Sequence, residues 1–379
     1  MNAGSRASHC QHVVQHIVMR YASPSDSGSS VVRILSVIGL LASIQIACTN
    51  IGPKTIPRDR FDYNAAISDS WKEQTLLNIV KLRYADVPLF VQVASVVSGY
   101  TLEGSVNIAG IDSDPGNSLV AGGSAKYTDR PTITYQPITG DQFNRSFMTP
   151  ISPRIVLFLI QSGWSVEVVF PLTVDSINGL QSELAAGASQ RIGDDDYYRF
   201  VELFRQAQLS GATGMQIRRD DESNETTLLV LRRQTPEGQA ARSEISKLLG
   251  LREGLDSFSV KYGFLAADDT EIALITRSML QVITNLARQI TVPEEHIASG
   301  RTIPPLRKIA LDERQLIQVN SSTEEPKDAY VSVRYRGYWY SIDDHDFESK
   351  RIFSFVMLLF SLTESGDRAA LPLVTIPAG

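Results

Sequence analysis

Asp343-Asp344-His345-Asp346, followed by Glu348, Lys350 and Arg351, is the one concentration of ionisable groups around a histidine in this chain of 379 residues. A carboxylate beside an imidazole can orient it as a general base, and a cluster of acids can hold a cation. The same residues also suit a strand-to-helix turn, in which Asp344 or Asp346 caps exposed amides and the acids favour the helix dipole. The turn is the expectation, because no paired histidine or nucleophile is marked elsewhere to complete a catalytic set. His296 beside Glu294 and Glu295 is a weaker candidate, and Asp194, Asp195 and Asp196 read as capping acids at a helix start rather than as metal ligands. His9, Cys10, His12 and His16 have the chemistry of a zinc or copper site, but they stand in front of an export signal. No Gly-rich phosphate loop, Gly-x-Ser-x-Gly elbow or His-Glu-x-x-His helix occurs. The expectation is a non-enzymatic protein with no cofactor and no metal site.

Cys48 has a different chemistry. From Val31 the chain has one basic residue, Arg33, and then an apolar run from Ile34 to Ala47. That run is shorter than the span of about 20 residues a transmembrane helix needs, but it suits the core of a secretory signal, with small residues before the break. It ends in Ala47-Cys48, which resembles the bacterial lipobox, where the signal is cut before a cysteine that becomes the lipid-modified first residue. Gln45 stands where the lipobox usually has Leu, Val or Ile. The resemblance implies residues 1–47 as leader and signal, with Cys48 as the lipid attachment site. Residues 1–30 are expected to be discarded with the signal, or to precede a true start nearer Val31. Thr49 stands where an Asp would often signal inner-membrane retention, so the expected location is the outer membrane, lipid-anchored and facing the periplasm.

Composition agrees with a folded, exported protein. With 43% hydrophobic and 21% charged residues the chain can bury one large or two ordinary cores. Cys10 and Cys48 are its two cysteines, so a mature chain would have neither a disulfide framework nor a free thiol nucleophile. A net charge of -6 argues against a nucleic-acid partner, whose phosphates call for a basic face.

The most unusual stretch of the mature chain lies between 100 and 135. Tyr100, Leu102, Gly104, Val106 and Ile108 alternate with Thr101, Glu103, Ser105 and Asn107, and beyond the turn signal Asp112 to Asn117 the residues Leu119, Ala121, Gly123, Ala125 and Tyr127 alternate likewise. A hairpin closed symmetrically about that turn opposes Ile108 to Ala121, Val106 to Gly123 and Leu102 to Tyr127, so both apolar sets share one side. Such a hairpin ordinarily covers a soluble core. Strands of this length also suit a membrane hairpin, with Leu102, Val106, Ile108, Leu119, Ala121 and Ala125 facing lipid. Each copy of a ring-shaped oligomer would then donate one hairpin to a shared barrel, since an open sheet edge cannot sit in lipid.

The remaining elements must position these features. Ile51 to Arg60 reads as a short tether, Asn64 to Tyr84 as a helix, and Leu89 to Val97 as a buried strand. Thr132 to Tyr135 extends the second hairpin strand. Val166 to Leu172 reads as a buried strand, Asp194 to Leu209 as a helix, and Met215 to Arg218 with Thr226 to Arg232 as a second hairpin. Pro236 to Leu249 is a helix, Phe258 to Phe264 a strand, and Thr270 to Gln289 a longer helix. Residues 291–328 form a long polar connection, Tyr330 to Ile342 one strand, Phe347 to Thr363 a buried helix, and Leu371 to Ile376 a closing strand. Strands and helices alternate without the rhythm of parallel units, so the class is α+β with mostly antiparallel sheets. The expected organisation is leader and signal 1–47, a helix-plus-hairpin region 48–150, an α+β region 151–265, and a C-terminal α+β region 266–379 with its buried helix at 347–363.

Asp62-Tyr-Asn-Ala-Ala-Ile with Leu76-Leu-Asn-Ile-Val-Lys-Leu-Arg-Tyr84, and Trp339-Tyr-Ser-Ile-Asp-Asp with Ser349-Lys-Arg-Ile-Phe-Ser-Phe-Val-Met-Leu-Leu-Phe-Ser-Leu362, resemble a group of uncharacterised Gram-negative envelope lipoproteins. The resemblance covers most of the mature chain and implies an envelope location but no activity. The functional expectation is a scaffold, assembly component or oligomeric pore, held to the membrane by its lipid and partnered by its own copies or by another envelope protein. The alternative is an envelope hydrolase or glycan-binding protein using the Tyr-rich strand and the 343–346 turn.

Overall fold

The computed structural model describes residues 17–20, 51–97, 100–113, 116–186, 189–219, 225–231, 236–304 and 315–363. The signal, Cys48, the four-residue His and Cys cluster of the leader, and the strand expected over 371–376 lie outside them. The described part is α+β and falls into two compact units. One holds the described residues of Met1–Ile67 and Gln92–Gln136, the other those of Ser68–Val91 and Pro137–Pro372.

The first unit is built on strands. Ile17–Arg20 forms β1, although its residues were expected to be discarded leader. Helix α1, Ile51–Arg83, belongs to this unit up to Ile67 and to the second from Ser68, and it begins with the stretch expected to be a tether. Pro53 is tolerated there because the N–H groups of a helix's first turn have no intrahelical acceptor to lose. Strands β2 (Val91–Val97) and β5 (Thr132–Pro137) pair with each other, and between them β3 (Tyr100–Ser113) and β4 (Gly116–Asp129) form a ladder of fourteen paired positions. The sheet order is β1-β4-β3, with Ile17 to Arg20 antiparallel to Ala121 to Ser118. Strand β2 is half-exposed rather than buried.

The second unit contains a six-stranded sheet flanked by helices. After α2 (Gly140–Phe143) and a π-helical turn (Asn144–Met148) come α3 (Pro153–Gln161) and α4 (Val166–Thr173). Then follow β6 (Val174–Ile177), β7 (Leu180–Gln181), β8 (Leu184–Ala186), β9 (Ser189–Arg191), α5 (Asp195–Leu209), β10 (Thr213–Arg219) and β11 (Glu225–Leu231). Next are α6 (Pro236–Leu249), β12 (Ser257–Tyr262), β13 (Glu271–Thr276), α7 (Met279–Ala287) and α8 (Glu294–Ala298). Strands β14 (Asn320–Ser322), β15 (Ala329–Tyr335) and β16 (Tyr338–Asp343) precede α9 (Phe347–Thr363). The sheet order is β10-β11-β12-β13-β6-β7, with β12 and β13 its one parallel pair among the described strands. A smaller sheet runs β14-β16-β15. The core gathers Leu76, Phe170, Phe200, Phe258, Ile283 and Phe355, each at most 1% exposed.

Three expectations are corrected here. Val166 to Leu172 is a helix, because with Val166, Val168, Val169, Phe170 and Leu172 all buried it has too little polar face to reveal its period, and packing overrides the β preference of valine. Thr270 to Gln289 is not one helix but the buried strand β13 followed by α7. The break is chemical: Ser278 and Gln281 form a reciprocal capping box that starts the helix. Tyr330 to Ile342 is two strands, because Arg336 (φ 49°) and Gly337 (φ 92°) take the left-handed geometry of a two-residue hairpin turn.

Candidate functional site

The acidic turn is built to start a helix. Asp346 directly precedes α9, and its carboxylate accepts from Ser349 N at 3.0 Å and from Ser349 Oγ at 2.6 Å, which satisfies an otherwise orphaned amide of the first helical turn. Asp343 Oδ1 accepts from His345 N at 2.8 Å and lies 3.1 Å from His345 Nδ1; these bonds, the backbone one foremost, hold its pKa below the usual carboxylate value. Lys350 Nζ donates to both the carbonyl and the carboxylate of Asp344. The His345 side chain is 84% exposed. Among the described residues no group of three or more His, Cys, Asp or Glu is placed to hold a metal. Asp194 has a different role from the expected cap. It sits at the N-cap of α5 without capping it, and its Oδ2 accepts from Gln181 N at 2.7 Å.

His296 is more informative than its neighbours in sequence suggest. It lies on α8, 1% exposed, and its Nδ1 is 2.7 Å from Tyr84 Oη. Tyr84 directly follows α1, and the same hydroxyl is 2.5 Å from Tyr340 Oη on β16, whose side chain is wholly buried. Three elements of the second unit thus meet at one oxygen. Two hydroxyl protons serve the two short contacts in one direction: Tyr340 donates to Tyr84, and Tyr84 donates to an unprotonated Nδ1, which leaves the histidine proton on Nε2, a buried atom with no hydrogen-bond partner of its own among the described residues. Glu295 Oε1 is 3.6 Å from that Nε2. Tyr338 stands edge-on to the imidazole with ring centroids 5.2 Å apart. Burial, then the nearby Arg301, lowers the histidine pKa; burial foremost raises that of Tyr340.

A guanidinium frame surrounds this chain. Arg83 donates to Thr302 Oγ1 at 2.8 Å and Ile303 O at 2.7 Å, and burial, with Arg288 second, lowers its pKa to about 10. Arg336 lies over the Tyr84 ring at 5.2 Å and pairs at 2.9 Å with Asp86, which also accepts from the Tyr335 hydroxyl.

A second buried cation, Arg277, is 1% exposed. It donates to Pro171 O at 2.5 Å, to Ser182 Oγ at 2.6 Å and to Glu183 O. Pro171 lies in the last turn of α4, where carbonyls lack helical partners, so Arg277 ties that helix end to the β7–β8 segment. Its acceptors are structural.

The hairpin pairs as its alternation requires. Leu102 opposes Tyr127, Gly104 opposes Ala125, Val106 opposes Gly123, Ile108 opposes Ala121 and Gly110 opposes Leu119. Leu102, Val106, Ile108, Leu119, Ala121 and Ala125 therefore share one side of the ribbon. On the other side Ser105 and Ser124 are exposed and hydrogen-bonded at 2.7 Å, with Glu103 and Lys126 exposed 3.9 Å apart. The Tyr84 and Tyr340 roles were missed because each sits at an ordinary core position of its element; only the tyrosine-rich composition of 335–340 signalled anything. No protein family, curated protein or solved structure matches the chain.

Proposed function

We propose that this is an exported cell-envelope lipoprotein, anchored through Cys48 in the outer membrane and facing the periplasm. It acts without catalysis, as a subunit of a homo-oligomer to which each copy contributes its β3–β4 hairpin. The hairpin register carries this reading, since it gathers six apolar positions on one side and a polar set on the other over fourteen pairs. At about 3.4 Å per residue such a strand is roughly 48 Å long, and tilted by about 45° it rises roughly 34 Å, enough for a hydrocarbon core of about 30 Å. At the hairpin's root, β5 is exposed throughout, including Ile133 at 38% and Tyr135 at 55%, an apolar surface that calls for a cover. Strand β1, part of the expected leader, covers β4 at Ser118 to Ala121; once that leader is removed the ribbon has two open edges, which lipid does not tolerate. Hairpins joined β4 to β3 around a ring would pair antiparallel, the sense in which β4 already receives β1.

Labelling tests the proposal. Single cysteines at Val106 and Ala121, in a chain still lipidated at Cys48, should react with membrane-soluble but not with water-soluble reagents once the protein is assembled. Equal reaction with both reagents would exclude the membrane hairpin. A glycan bound at the tyrosine-rich strand would instead support the glycan-binding alternative.

A further inference from the structure

We propose that His296 is a proton-operated latch on the corner between α1 and β2: protonation of its Nδ1 breaks the Tyr340–Tyr84–His296 chain and loosens the end of α1 from α8 and β16. The latch lies wholly within the second unit and does not depend on the oligomer proposed above.

The argument is one of proton counting. In the neutral state each hydroxyl has an acceptor, Tyr340 on Tyr84 at 2.5 Å and Tyr84 on Nδ1 at 2.7 Å. A proton on Nδ1 turns the acceptor into a donor facing a donor. Tyr84 must then rotate its proton toward Tyr340, and the Tyr340 proton is left without an acceptor, since Tyr84 is that hydroxyl's hydrogen-bond partner among the described residues. Tyr340 is wholly buried and His296 is 1% exposed, so water cannot replace what is lost without the elements parting.

The surrounding charges set the direction. From α8 and the residues after it come Glu295, 3.6 Å from Nε2, and Arg301; from α1 and the residue after it come Arg83 and Tyr84; from the β15–β16 hairpin come Tyr335, Arg336, Tyr338 and Tyr340. Arg336 is itself paired with Asp86. Burial and then Arg301 oppose a charged ring, Glu295 favours it and Arg336 opposes it, and the result is a lowered pKa. The unfolded chain therefore takes up this proton near the ordinary histidine value of about 6.5, while the folded chain resists it. In that window the unfolded state binds more protons, so stability is full above about pH 6.5 and falls as the pH drops toward the lowered folded value.

The test is hydrogen exchange on the full chain at about pH 7.5 and pH 5.5, after correction for the intrinsic pH dependence of exchange. Segments 84–91 and 293–300 should lose protection about tenfold at the lower pH, the scale of one lost buried hydrogen bond. His296→Gln, which can accept from Tyr84 but cannot titrate, should abolish the difference. Tyr84→Phe at the higher pH should already show the loosened pattern. Unchanged protection in the wild type, or the same loss in His296→Gln, would overturn the latch. If His296→Gln fails to fold, a Tyr84→Phe chain whose exchange in these segments still depends on pH as the wild type does would overturn it equally.

Discussion

Tyr84→Phe removes one oxygen and leaves the ring in place, which makes it the cleanest probe of the buried chain. The lost hydroxyl bridges Tyr340 Oη at 2.5 Å and His296 Nδ1 at 2.7 Å, and neither has water to turn to. An unsatisfied buried polar group costs about 1–3 kcal/mol, so two of them place the loss at about 2–6 kcal/mol. Tyr340→Phe is expected to cost less, about 1 kcal/mol, because Tyr84 keeps His296 as its acceptor. The double variant should be no less stable than Tyr84→Phe alone, since removing the Tyr340 hydroxyl relieves an orphan. That non-additivity is the signature of one shared network. Urea unfolding at about pH 7.5, followed by tryptophan fluorescence, measures all three. Tyr84→Phe within about 0.5 kcal/mol of wild type, or strictly additive losses, would refute the reasoning.

Two further substitutions probe the other polar sites. Arg277→Met should cost about 3–5 kcal/mol in the same assay, because Ser182 Oγ and the carbonyls of Pro171 and Glu183 lose their buried donor; a loss below about 1 kcal/mol would contradict the caged geometry. Asp346→Ala should cost about 1 kcal/mol as a lost cap, whereas His345→Ala should leave stability and cellular function intact. Loss of function in folded His345→Ala protein would return the acidic turn to the list of catalytic candidates.

What the sequence made legible is what depends on local periodicity. The β3–β4 register follows from strict alternation, because a slip of one residue would carry every apolar side chain to the wrong side. Helices over Pro236–Leu249 and Phe347–Thr363 lie where their composition places them. Periodicity fails where burial is complete. Val166–Thr173 and Glu271–Thr276 are buried over nearly their whole length, with Glu167 the one half-exposed charge between them, and neither the helix nor the strand advertises itself by a regular polar face. Available local signals were overlooked as well, namely the Ser278–Gln281 capping box and the glycine of Arg336-Gly337. The buried chain could not be read at all. Tyr84 is separated from His296 by 212 positions and from Tyr340 by 256, and only tertiary packing brings them together. His296 was noticed for its acidic neighbours Glu294 and Glu295, but its acceptor role belongs to a tyrosine far off in the chain.

Assembly through the hairpin is the central claim, and electron microscopy of the lipidated full-length protein extracted in mild detergent tests it most directly. The expected result is a closed ring with one hairpin from each copy lining a common wall, lost when Val106 and Ala121 are both changed to lysine in a chain that still folds. A midplane lysine on a barrel exterior costs roughly 2–4 kcal/mol, and the ring repeats that cost in every copy. Monomers that stay dispersed once detergent is removed, with the hairpin packed on the protein's own core, would contradict it.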